Sequence, residues 1–117
     1  MTRSDLDRLR DAKAYAQDAL HNGGGLEAEI LAQAKQPLHA VLFDLVLLGE
    51  ALGKVPGELR ALALDIPWKM ATDMRNLIVH AYWQIDLDIV AAVLDRELDP
   101  LIQRLDELIR RLEREGG

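Results

Sequence analysis

The 117-residue sequence contains no cysteine. Disulfide staples and thiolate metal centres are thereby excluded, and a reducing compartment is the expected setting. Aromatic residues are almost as scarce, with one Phe, two Tyr and two Trp, although half of the chain is hydrophobic. Leu and Ala supply most of that apolar content, which is the composition of packed helices rather than of a β-sandwich. Long hydrophobic runs are missing as well: the most apolar stretch, Ala40 to Leu48, is interrupted by Asp44 and is too short to span a bilayer. Met1-Thr-Arg-Ser-Asp leads into charged residues rather than an apolar stretch, so no signal peptide is expected, and the reading is a soluble, cytoplasmic protein with no membrane partner. Basic charge is in deficit, 14 Lys and Arg against 20 Asp and Glu, for a net charge of −6. Such a mean field repels phosphate, so any nucleic-acid site must rest on particular residues.

The chain is expected to form one domain over residues 1–117, because its length suits one core and not two. Ser4 is a candidate N-cap, with Asp5 and Asp7 suiting the helix dipole. The first helix then runs to about His21, with Leu6, Leu9, Ala12, Ala16 and Leu20 at helical spacing, and Gly23-Gly-Gly25 ends it. Leu26 to Ala34 is a second helical stretch, which Pro37 kinks or restarts. From Leu38 to Leu52 the pattern is apolar nearly all round, which predicts a central helix buried on every side. Asp44 interrupts it, as a carboxylate at the bundle edge or one paired with an Arg. His39 and Glu50 share a face of this helix but lack a third ligand, so no metal site follows.

After a loop at Gly53–Gly57, Glu58 to Leu64 can form a short helix. Pro67 suits the first turn of the next, which ends near Tyr82 or Trp83. Asp86 then caps a last helix, with Ile85 and Val90 as a hydrophobic staple. That helix continues to about Glu113 with a kink at Pro100, and Gly116-Gly117 is a frayed end. Asp106–Arg110 and Glu107–Arg111 are expected as i,i+4 ion pairs on its wet side.

The Pro67–Trp83 helix carries the residues of greatest chemical interest. With Leu77 at zero and ~100° per residue, Met70, Met74, Leu77 and Ala81 fall within about 60° and define the expected core stripe, with Ile78 near 100°. Arg75 and Tyr82 fall on one flank at about 140–160°, and Asp73, Asn76 and His80 on the other at about 260–320°. Between the flanks stand Thr72, Val79 and Trp83, an outward cluster that suggests a second buried face, most simply a homodimer interface. Arg75 and His80 would edge that interface about 140° apart. To meet, Arg75 wraps round, the last turn loosens, or a two-fold brings in the residues of a second copy.

His suits acid–base work near neutral pH, and Arg presents a planar charged fork for a phosphate. Without an Asp/Glu cluster or Cys, the pair fits metal-independent cleavage of RNA by attack of the 2′-hydroxyl, with no cofactor. The same pair can equally be a surface ion partner and an edge histidine.

Arg75-Asn-Leu-Ile-Val-His80-Ala-Tyr82 matches the Arg, four residues, His, any residue, Tyr signature of the HEPN superfamily. The sequence resembles, more narrowly, the HepT-like toxins of toxin–antitoxin pairs. Ile66-Pro-Trp68, Ile85-Asp-Leu-Asp-Ile-Val90 and Leu48-Gly-Glu-Ala-Leu52 extend the likeness over nearly the whole chain. The resemblance implies an all-α HEPN-like bundle of about five helices, mostly antiparallel and dimeric, with the motif in an interface cleft. It implies an endoribonuclease with Arg75 and His80 as its catalytic pair and Asn76 in support. It further implies a minimal nucleotidyltransferase antitoxin that attaches AMP to Tyr82, near Arg75 on the wheel. Ala81 replaces a frequent Gly, and Phe43-Asp44 stands where many relatives are basic or polar, which removes positive charge near the cleft. Two other readings stay open: a HEPN binding module without catalysis, and a plain dimeric helical bundle.

Overall fold

The computed structural model describes residues 3–116, so Met1, on which the signal-peptide expectation leaned, and Gly117 of the expected frayed end lie outside the described residues. Among the described residues every regular element is helical: α1 (Asp5–Gly23), α2 (Ala28–Gln33), α3 (Lys35–Gly53), α4 (Gly57–Arg60), α5 (Trp68–Ala81), α6 (Leu87–Ala92) and α7 (Leu98–Gly116). A 3-10 turn, Tyr82–Gln84, follows α5, and a π turn, Val93–Glu97, joins α6 to α7. With α6 and α7 running end to end, the all-helical bundle expected from the sequence is what forms.

Ser4 caps α1 through a reciprocal box: its Oγ accepts from the Asp7 amide at 3.0 Å while the Asp7 carboxylate accepts from the Ser4 amide at 3.3 Å. The buried face of α1 is Leu9, Ala12, Ala16 and Ala19, mostly small side chains that let α3 approach closely. α3 in turn buries Val41, Leu45, Leu48 and Leu52. The end of α1 lies beside the middle of α3, where the Asn22 amide donates to Asp44 at 2.8 Å. α7 runs antiparallel to α1, closed by Lys13–Asp106 at 2.8 Å and Arg10–Glu113 at 3.3 Å. Its core stripe is Leu98, Leu101, Leu105, Leu108 and Ile109.

Several expectations change. α3 is not buried all round: Phe43 is 62% exposed, because α1 and α5 flank α3 without enclosing it. Asp44 is neither at the edge nor paired with a cation. It is buried, and its partner is the neutral amide of Asn22. Pro37 restarts the helix rather than kinking it, since it stands in the first turn of α3, where a missing N–H breaks no helical bond. α4 is a single turn instead of reaching Leu64; Leu62 and Leu64 are exposed, so continuing the helix would bury nothing. Pro67 is the N-cap of α5, one position earlier than expected. α7 continues through Gly116, past the expected end at Glu113. On α7 Asp106–Arg110 forms at 3.0 Å, but Arg111 pairs with Glu115 at 3.2 Å rather than with Glu107.

The irregularity expected at Pro100 takes the form of the π turn just before it. Proline removes the bond to the fourth carbonyl back, that of Arg96, and a widened turn at that point accommodates the ring. It also keeps Val90, Leu94 and Leu98, spaced by four, on one buried line, where a regular helix would drift by about 40° at each step.

Candidate functional site

α5 packs chiefly on α3, and the closest approach is at Gly49. A Cβ added there would meet the Ala71 carbonyl oxygen at 2.7 Å and press still closer on Cβ of Arg75. Only glycine admits this spacing, and the spacing decides which way α5 is turned. Trp68 and Ala71 are buried and Met74 and Ile78 half-buried, whereas Met70 and Leu77, expected in the core stripe, are exposed. The core-facing direction is therefore rotated by about 120° from Leu77, towards Ala71. Leu77 was placed at the centre because apolarity alone ranks it above Ala71. Helix proximity reverses that ranking, since only small residues fit where two backbones nearly touch.

The rotation carries Arg75 inward. Its guanidinium forms a salt bridge with Glu50 on α3, and Nη1 donates to the Asn76 side-chain oxygen at 2.9 Å. Nε is buried and has no hydrogen-bond partner. Arg75 lines an open groove of about 190 Å³ with Asn76, Thr72, Gly49, Glu50, Gly53 and Lys54. Thr72 is half-buried in this groove, and its hydroxyl donates to the Trp68 carbonyl at 3.0 Å. It lies on the α3 side of α5, away from the outward position given it on the wheel.

His80 does not line the groove. It stands exposed in the last turn of α5, about 140° round the helix from Arg75. Within one copy, therefore, Arg75 and Asn76 come together and His80 stays apart. Tyr82 and Trp83 project from the 3-10 turn, 67% and 69% exposed, with their rings edge to face at 5.6 Å. Val79 is exposed as well, while Met70 and Leu77 are exposed about 160–180° round the helix from it, so α5 carries apolar side chains on two faces outside the core.

Two contributors escaped the reading of the sequence. Neither the shared face with His39 nor the Leu48–Leu52 likeness points Glu50 to Arg75; the structure gives its carboxylate to Arg75, with Lys54 at 3.9 Å. Arg60 caps α3: Nε donates to the Val55 carbonyl at 2.8 Å, and Nη2 to Gly53 and Leu52 at 3.0 and 3.3 Å. Its guanidinium also lies 5.7 Å from the centre of the Trp68 ring, whose N–H donates to the Ala63 carbonyl at 3.0 Å. This braces the entry to α5. Gly49 and Gly53, four apart on one face, were the available signal that another helix comes close.

Residues 6–108 match the family model described as Ribonuclease HepT-like. The chain belongs to the HepT-like ribonuclease family. It is 27% identical over 105 residues, 90% of either chain, to a Methanocaldococcus jannaschii protein named Putative RNase MJ0125. It is also 27% identical over 74 residues to the Probable ribonuclease HepT of Thermococcus cleftensis, covering 63% of this chain and 67% of that one. No solved structure matches the chain significantly. Membership in the HepT-like family places the chain in the HEPN superfamily, as the motif on α5 led one to expect. Among the described residues no helix is long and apolar enough to cross a membrane.

Proposed function

We propose that this HepT-like chain, a single domain over residues 1–117, is the toxin of a toxin–antitoxin pair, a cytoplasmic endoribonuclease that works without a metal. The observation that carries the reading is that Arg75, Asn76 and His80 on α5, and Tyr82 on the turn that follows, belong to one short segment of a ribonuclease-family fold. In the proposed step the 2′-oxygen attacks the adjacent phosphorus while His80 accepts its proton, and the bond to the 5′-oxygen breaks. That oxygen is protonated as it leaves, giving a 2′,3′-cyclic phosphate and a 5′-hydroxyl end. Arg75 stabilises the charge that builds on the phosphoryl oxygens, and Asn76 holds the guanidinium from one side.

Because Arg75 and His80 diverge within one copy, the working cleft is proposed to form between two. Exposed Val79 on α5 and Trp83 on the turn that follows it supply an apolar face for a two-fold contact. Thr72, in the groove with Arg75, belongs to the cleft wall rather than to the centre of that contact. The proposed antitoxin is a minimal nucleotidyltransferase. The Tyr82 hydroxyl attacks the α-phosphorus of ATP, pyrophosphate leaves, and the bound AMP places a bulky anion at the cleft.

The net charge and the Glu50 carboxylate on Arg75 favour a second reading, a HEPN binding module that partners a nucleotidyltransferase without cutting RNA. Purified wild type, Arg75→Ala and His80→Ala incubated with total RNA in EDTA separate the two. Cleavage by wild type alone supports the nuclease. No cleavage by any of them, with Tyr82 unmodified by mass spectrometry and no antitoxin present, leaves the binding module. In the same assay Tyr82→Phe is expected to cleave RNA yet escape silencing by the nucleotidyltransferase.

A further inference from the structure

The geometry points to Glu50 as the positioning residue for Arg75, the carboxylate that sets the orientation in which the guanidinium meets a phosphate. The inference rests on the ribonuclease reading above. A free arginine side chain samples many rotamers, and a cleft that must recognise a phosphoryl group gains from having most of them removed beforehand.

Three features on the page remove them. Gly49 lets the stem of Arg75 lie directly on α3, where a methyl group at position 49 would collide with Cβ and approach Cγ at 3.1 Å. Nε is thereby buried without an acceptor, so the inner end of the guanidinium has no alternative polar contact to swing towards. At the outer end Glu50, the residue next to Gly49, pairs with Nη2, while Asn76 accepts from Nη1. Each terminal nitrogen carries two hydrogens, so one on each is left for a phosphate oxygen.

An ordinary surface pair between two mobile side chains would do little of this. Here the partner is fixed by its backbone. Glu50 sits within the long α3, flanked by Leu48, Ala51 and Leu52 of the core, which is the kind of rigid element that holds a functional group to tight tolerance. Among the described residues its one other ion pair is with Lys54, at 3.9 Å. Its charge works against RNA attraction, as the rest of this acidic chain does. Retaining a negative group beside the phosphate-binding cation makes sense if orientation outweighs that repulsion, and the two effects act on different kinetic constants.

The test uses Glu50→Gln, Glu50→Asp and, as a charge-matched control on the exposed surface of α2, Glu29→Gln, each assayed on an RNA oligonucleotide in EDTA. Orientation by Glu50 predicts that Glu50→Gln lowers kcat by about 10–100-fold with KM little changed. Glu50→Asp, which keeps the charge but retracts it, falls between, and Glu29→Gln matches wild type. A second readout is the Nε–H resonance of Arg75, assigned by its loss in Arg75→Lys. It is expected to be sharp in wild type and broadened in Glu50→Gln. A lower KM with unchanged kcat in Glu50→Gln would make Glu50 a mere charge screen and overturn the proposal. An unchanged Arg75 resonance together with unchanged kinetics, in an active wild type, would also overturn it and leave the nuclease reading standing. Wild type inert toward RNA would instead sink the nuclease reading, and this role with it.

Discussion

Gly49 of α3 and Arg75 of α5 are packed backbone to stem, with no room between them for one carbon atom. This contact sets the rotation of α5 and so determines which of its residues meet α3 and which meet solvent. Gly49→Ala is therefore expected to push the helices apart and destabilise the fold by about 1–3 kcal/mol. Gly53→Ala, one turn further along, meets only Thr72 Oγ1 at 3.7 Å. It should be neutral or slightly stabilising, by at most about 0.5–1 kcal/mol. Urea unfolding of the two variants side by side checks both.

Trp68 anchors the start of α5 through burial, its N–H bond to Ala63 and the Arg60 guanidinium beside its ring. Trp68→Phe keeps most of the apolar contact but removes one of the two donors to the Ala63 carbonyl, which keeps the Ile66 amide at 3.1 Å, at an expected cost of about 0.5–1.5 kcal/mol. Arg60→Ala uncaps α3 and uncovers the same ring. The two losses should be less than additive in a double-mutant cycle, since the residues touch.

The apolar outer surface of α5 predicts self-association. Val79→Asp and Trp83→Asp alter side chains exposed in a single copy, so the monomer fold and its far-UV circular dichroism should be kept. Sedimentation should show wild type as a dimer and the two variants as monomers, and RNA cleavage should fall with the dimer fraction. Variants that stay dimeric would place the contact elsewhere.

Asp44 provides a pH signature. Burial pushes its carboxyl above the usual range, the Asn22 amide partly opposes the shift, and the charge of Asp18 adds to it. The folded state then holds the proton more tightly than the unfolded chain, which titrates near ~3.9. Stability from this group is fully present below that value and declines as pH rises through the elevated pKa. Asp44→Asn, which can still accept from Asn22, removes the decline. Its melting temperature should match wild type near pH ~3 and exceed it by a few degrees near pH ~7.

The helices were legible because their signals are local: the Ser4 box, the apolar spacing of α1 and α7, the Asp86 cap. The identity of the family was legible in the Arg75–Tyr82 octapeptide. The facing of α5 was not, because it depends on Gly49, far away in sequence, and a helical wheel ranks side chains by apolarity while close packing selects by size. For the same reason Trp68 and Ala71, rather than Leu77, meet the core. Asp44 misled in a related way. A lone acid in an apolar run suggests a cation nearby, and the neutral Asn22 that answers it lies on another helix.

α5 is joined to the bundle mainly along the flank that touches α3. A helix held on one side opens to solvent more readily than the α1–α3–α7 interior, so its backbone amides should exchange with deuterium sooner. Whatever covers the opposite flank supplies the missing half of its protection. Exchange over residues 68–84 should therefore slow as protein concentration rises, while that of α1 stays constant, which makes the order of the Arg75 helix a reporter of how crowded the molecule is by its own kind.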